Sequence, residues 1–109
     1  MSNFRYSGNH VAPTELEEIL QKHPAVYECL VFGRPEPSVQ ELICAVVSLK
    51  QGMEASEEEL TEFVNSKVTD YKHIRGGMIF REKLPRNSVG KLLRRELRAW
   101  AREQYPENN

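Results

Sequence analysis

The stretch Glu41–Leu49, ELICAVVSL, is apolar on both of its alternating sides. Side chains on a strand alternate between faces, so Ile43, Ala45, Val47 and Leu49 point one way and Leu42, Cys44 and Val46 the other. Such a strand has to be covered on both faces, which places it centrally in a sheet. The other segments must supply that cover within 109 residues, enough for one modest core.

Those segments are legible. Residues 13–23, PTELEEILQKH, predict a helix with Pro13 near its start, acids in the first turn, Lys22 and His23 at its end, and Leu16, Ile19 and Leu20 as its buried stripe. Glu15, Glu17 and Glu18 are then expected on its solvated face. Val26–Gly33 predicts a strand, and RPEPSVQ the loop after it. Ser56 followed by Glu59 forms a capping-box pattern ahead of Leu60, Phe63, Val64 and Val68 at helical spacing. GGMIFRE predicts a third short strand after Gly76–Gly77. A last helix from about Leu92 is expected to bury Leu93, Leu97 and Trp100, leaving Arg94, Arg95, Arg98 and Arg102 largely outside. The opening residues, MSNFRYSGN, are expected to form a loop or short edge strand with a turn. The fold class is therefore α+β: a small sheet of about three main strands with helices packed on it, in one domain over 1–109.

Net charge is −1 overall, but residues 1–70 carry 5 Lys or Arg against 12 Asp or Glu, and residues 71–109 carry 10 against 4. The C-terminal third is thus a candidate surface for an anion. Cys29 and Cys44 lie in strand-like runs without Cys-x-x-Cys spacing, as expected for buried thiols in a reducing compartment, with a disulfide as the alternative if the two strands pair. No apolar run approaches 18 residues and no signal-peptide pattern opens the chain, so no transmembrane segment and an intracellular location are expected. His10, His23 and His73 are scattered, without metal-ligand or nucleophile spacing, and no carboxylates pair. A self-sufficient hydrolase and a metal site are both disfavoured. Gly90–Lys91 is not a phosphate-cradling P-loop, which needs Gly at position 85 and Ser or Thr at 92, where Pro85 and Leu92 stand. Lys91 at the head of a helix, behind a glycine, could still hold a phosphate or carboxylate brought from outside, or be an ordinary turn lysine. Nucleic acid is disfavoured, because Trp100 falls on the apolar stripe and not among the arginines.

LPRNSVGKLLRREL, residues 84–97, resembles the closing motif of the adenylate-forming superfamily of acyl-CoA synthetases, 4-coumarate–CoA ligases and beetle luciferases. YSGNHVAPTELEEIL resembles that family's glycine loop and the helix after it. HPAVYECLVFGRPEPSVQE and RGGMIF agree in order and spacing, and the likeness runs from about Phe4 to Arg102. It is to the small C-terminal domain only, with residues 1–3 as a hinge remnant or added leader. The resemblance implies the lid of an ATP-dependent acyl- or aryl-CoA ligase, which forms an acyl-adenylate and then a coenzyme A thioester. Alternatives are the lid of a luciferase-like enzyme, or a free-standing anion-binding module.

By the same resemblance Lys91 is the adenylation lysine, Gly8 belongs to the loop presented for thioester formation, and Ser7 and Gly90 adjoin the nucleotide or coenzyme. Ser7 stands where relatives often carry lysine, so that lysine's role is not carried over. Gln40 and Glu36 replace the usual Gly and Asp, expected as a loop difference of little catalytic meaning. The implied partners are an N-terminal AMP-binding domain, which would bind Mg²⁺, and a carboxylic acid substrate; the fragment alone is expected to be inactive. Cytoplasmic and peroxisomal locations both fit, since the final PENN is no Ser-Lys-Leu-type address.

Overall fold

A computed structural model describes residues 4–105; the expectations for residues 1–3 and for PENN fall outside the described residues. Along the chain run β1 (Phe4–Tyr6), β2 (Asn9–Val11), α1 (Pro13–Gln21), β3 (Val26–Glu36), β4 (Gln40–Leu49), α2 (Glu57–Asn65), a 3₁₀ turn (Asp70–Lys72), β5 (Met78–Phe80) and α3 (Arg94–Glu103). The fold is α+β, as expected. β4 is the hub, antiparallel to β3 over the whole length of that strand, antiparallel to β1 at Tyr6–Gln40, and parallel to β5 through Ala45–Val47 and Met78–Phe80. β2 pairs outside β1, so the short opening hairpin extends the expected three-strand sheet to five.

The alternation in β4 sorts the core as the sequence demands. Ile43, Ala45 and Val47 join Leu16 and Leu20 of α1 and Leu60 and Val64 of α2 on one face. Cys44 and Val46 join Leu30, Phe32, Leu97 and Ala101 on the other, beneath α3. α2 starts as read, with the Glu59 N–H donating to Ser56 Oγ at 3.1 Å. The Glu59 carboxylate does not close the box; it pairs instead with His23 Nε2 at 2.8 Å, tying α2 to the end of α1.

One expectation about charge fails for a tertiary reason. Glu17 is no solvated helix residue: its side chain is 12% exposed, accepts from the Val31 N–H at 2.8 Å, and is gripped by Arg94 at 2.6 and 2.9 Å. Glu15 pairs with Lys72 at 2.9 Å. β3 is an edge strand, and the Glu17 carboxylate, the Gln21 amide and the Arg102 guanidinium each bond an outward backbone group of it. An edge closed this way offers little template for pairing with another chain.

Cys29 and Cys44 are both buried and free, and they belong to the cores on opposite faces of the sheet. Burial pushes the Cys29 thiol up to about 12, with Glu17 adding and Arg94 opposing. Burial likewise pushes Cys44 up to about 11 against the nearby Arg34. Neither is a thiolate at pH 8, so iodoacetamide is expected to label neither in the folded protein and both in denaturant. Mass spectrometry reads the result, and prompt labelling without denaturant would contradict this account of the two sites.

Candidate functional site

The segment after Leu84 is a small hairpin wired through its own polar groups. Arg86 bridges Leu92, the Leu93 N–H donates to the Pro85 carbonyl at 2.9 Å, and the Gly90 N–H donates to the Asn87 carbonyl at 2.9 Å. Asn87 holds the tip: its side-chain oxygen accepts from the N–H groups of Val89 at 3.0 Å and Lys91 at 2.9 Å. Arg86 donates to the Gly90 carbonyl at 2.8 Å and pairs with Glu28, itself only 12% exposed. Gly90 has φ +83°, a conformation that glycine adopts at no steric cost.

Lys91 is therefore not at a helix start. α3 begins at Arg94, three residues later than the lysine, because closing the hairpin keeps Leu92 and Leu93 out of the helix. The N–H groups of Val89, Gly90, Lys91, Leu93 and Arg94 are bonded within this segment, so they are not available to cradle an anion beside Lys91. What remains is the ammonium group, exposed and without a hydrogen-bond or salt-bridge partner among the described residues, on a backbone fixed on both sides. Such a mount presents a charge outward without spending flexibility in the main chain.

The second predicted element sits elsewhere. Ser7 and Gly8 form the two-residue turn between β1 and β2, with φ +47° and +84°. Positive φ at both positions suits a primed hairpin turn, whose twist matches the strands. The turn is pinned to the β3–β4 connection: the Ser7 N–H donates to the Val39 carbonyl at 2.7 Å, and the Gly8 N–H donates to the Gln40 side-chain oxygen. A Cβ on Gly8 would meet nothing within 4 Å, so the turn faces open space.

Gln40 was underrated by the sequence. It has φ +79°, a strained backbone for a side-chain-bearing residue, and its amide holds the glycine of the turn. Its departure from the pattern that the family resemblance implies was the available signal. Gln40→Gly should relieve roughly 1 kcal/mol of strain while losing a hydrogen bond worth about 1 kcal/mol, leaving thermal stability nearly unchanged. Gln40→Ala loses the bond and keeps the strain, so it should be the less stable variant, and both should speed exchange of the Gly8 amide. A more stable alanine variant in thermal melts would show that the strain is not real.

The two elements lie at opposite ends of the β3–β4 pair. Glu28 and Ser48 anchor the Lys91 side through Arg86, Leu84 and Glu82, whereas Val39 and Gln40 anchor the Ser7–Gly8 turn. Glu28 and Glu36 are eight residues apart along β3, which at about 3.4 Å per residue is about 27 Å. Gly90 and Lys91 are thus brought together, and Ser7 and Gly8 together, but the pairs form two separate surfaces. Among the described residues, no group of three or more His, Cys, Asp or Glu side chains could hold a metal ion. No described helix is long and apolar enough to cross a membrane.

The family model for the C-terminal domain of AMP-binding enzymes matches residues 15–91. Luciferin 4-monooxygenase of Photinus pyralis is 41% identical over 97 residues, covering 89% of this chain and 18% of that protein. A putative acyl-coenzyme A synthetase of Emericella nidulans is 41% identical over 100 residues, covering 90% and 18%. The crystal structure of ATP-bound MatB from Rhodopseudomonas palustris superposes with a TM-score of 0.83 at 28% identity, over 93% of this chain and 20% of that one. The chain therefore spans under a fifth of the length of these curated relatives.

Proposed function

We propose, from the premise that this chain belongs to the family of AMP-binding enzyme C-terminal domains, that it is the mobile cap of an ATP-dependent acid–CoA ligase. The larger AMP-binding domain would lie N-terminal to it, hold Mg²⁺ and ATP, and provide the pocket for the carboxylic acid. Lys91 would enter that site for adenylation, its ammonium bridging the attacking carboxylate and the α-phosphate as negative charge gathers between them. The Ser7–Gly8 turn would replace it for thioester formation, where a glycine without Cβ lets backbone approach the thin pantetheine arm of coenzyme A.

The observation that carries this reading is the separation of the two surfaces. With about 27 Å of strand between their anchors, one rigid placement of the cap cannot bring both to one reaction centre. A rotation between two placements can. The two half-reactions would then use two placements in turn, with the lysine withdrawn when the turn is in place. Ser7 supplies a hydroxyl and no charge, so the turn would act by shape and backbone.

A luciferase-like partner domain remains a second reading, supported by the identity to luciferin 4-monooxygenase, which equals that to the acyl-coenzyme A synthetase. The test grafts this chain in place of the corresponding fifth of the Emericella protein. The graft should release pyrophosphate with a carboxylic acid and ATP and form thioester with coenzyme A. A folded graft that exchanges no pyrophosphate would reject the cap function.

A further inference from the structure

α3 carries three arginines four residues apart on the side toward β3: Arg94, Arg98 and Arg102. The outer two are satisfied within the domain. Arg94 forks onto Glu17 at 2.6 and 2.9 Å; Arg102 donates to the Gly33 carbonyl at 2.9 Å and stands 3.6 Å from Glu41. Arg98, between them, is half-buried and has no hydrogen-bond or ion-pair partner among the described residues. It lines a cleft of about 310 Å³ together with Arg102, Glu41 and the apolar side chains of Phe4, Pro13 and Phe32. Gly33 makes the cleft possible, since a Cβ there would lie 2.7 Å from the Glu41 carboxylate and 2.9 Å from the Phe4 ring.

We propose that this cleft is an interdomain socket for one Asp or Glu side chain of the larger domain that the relatives carry. Two guanidinium groups against one carboxylate leave a single positive charge, which suits one more carboxylate better than a phosphate dianion. A partly desolvated guanidinium without a counter-ion is costly, and a bidentate carboxylate is the partner that best matches its fork. The apolar floor would take the methylene groups of the incoming side chain. At about 310 Å³ the space lies at the small end for a free organic ligand. A larger domain is available to supply that carboxylate, because most of each relative's length lies outside the matched segment. The socket rests on the cap reading for its partner, but not on the role of Lys91.

The test uses the grafted enzyme and hydrogen exchange. Peptides covering Val31–Gly33 and α3 should be protected in the graft relative to the 109-residue chain alone. Arg98→Glu should remove that protection by on the order of tenfold or more, the loss expected for one charge-assisted bond. Arg95→Glu, an equal charge change on the exposed side of the same helix, should leave it intact, and Arg98→Lys should fall between. Protection that survives Arg98→Glu overturns the socket. So does a saturable, low-millimolar acetate response of the Arg98 side-chain NMR signal in the chain alone, which would make the cleft a site for free carboxylates. If Arg98→Glu uncovers the cleft while Lys91→Ala leaves adenylation untouched, the cap chemistry fails and the socket stands; the reverse pattern separates them the other way.

Discussion

Lys91→Ala in the grafted enzyme should lower the rate of acyl-adenylate formation by about 10²–10³, the usual effect of losing one preorganised donor to a developing oxyanion. Thioester formation from supplied acyl-adenylate should stay within a few-fold of the parent. The asymmetry follows from the two-surface geometry, since the lysine would face the reaction centre in one placement of the cap only. Lys91→Arg should recover little, because a broad planar guanidinium does not occupy the point a compact ammonium fills. Asn87→Ala should give a milder version of the same asymmetry, since it frees the Lys91 backbone but leaves the ammonium in place. Pyrophosphate exchange reports the first half-reaction and stopped assays of coenzyme A consumption the second. Equal losses in both would mean that Lys91 acts on folding or docking and not on adenylation.

Gly76→Ala should cost the domain about 3 kcal/mol or more, at the upper end of overpacking penalties. A Cβ at Gly76 would stand 2.2 Å from Cys44 Sγ and 3.0 Å from the Ile43 carbonyl oxygen. There the Gly76 N–H donates to that same carbonyl at 2.8 Å, continuing the parallel pairing of β5 onto β4. The segment cannot move away without breaking this bond and the one from the Ala45 N–H to the Gly77 carbonyl at 3.2 Å. A loss of this size should lower the melting temperature by on the order of 10–20 °C in a domain of about 100 residues. Cys44→Ala removes the nearer obstacle, so Gly76→Ala should cost at least about 1 kcal/mol less in that background. The backbone oxygen remains, so rescue should be partial. Simple additivity of the two substitutions in denaturant titrations would show that the sulfur is not what excludes the methyl group.

The glycine pair shows how far the sequence could be read. RGGMIF was recognisable by its resemblance to the family pattern, but the reason for Gly76 is a sulfur on a strand thirty-two positions earlier. Gln40 is a similar case. Its departure from the family pattern was visible, while its grip on Gly8 depends on β1 meeting β4 at Tyr6–Gln40, which no local pattern specifies. The start of α3 was placed two residues early because Leu92 and Leu93 fit the helical stripe. A hairpin closed by Pro85, Asn87 and Arg86 outweighed that preference.

Short-range order did determine the fold class. Alternation in ELICAVVSL required a central strand with cover on both faces, and the stripes Leu16–Leu20 and Leu60–Val64 supplied part of that cover. Motif order alone pointed to the family and to Lys91. The tertiary structure decided which charges are partners and which are offered outward. Glu17 looked solvated by helical position and is half-buried against Arg94 and β3; Arg98 looked equivalent to its neighbours and lies in a cleft without a partner among the described residues. Periodicity is set by dihedral angles a few residues at a time, so a sequence displays it openly. The fate of a charge depends on what long-range packing places within about 4 Å of it, and that is fixed only when the sheet closes.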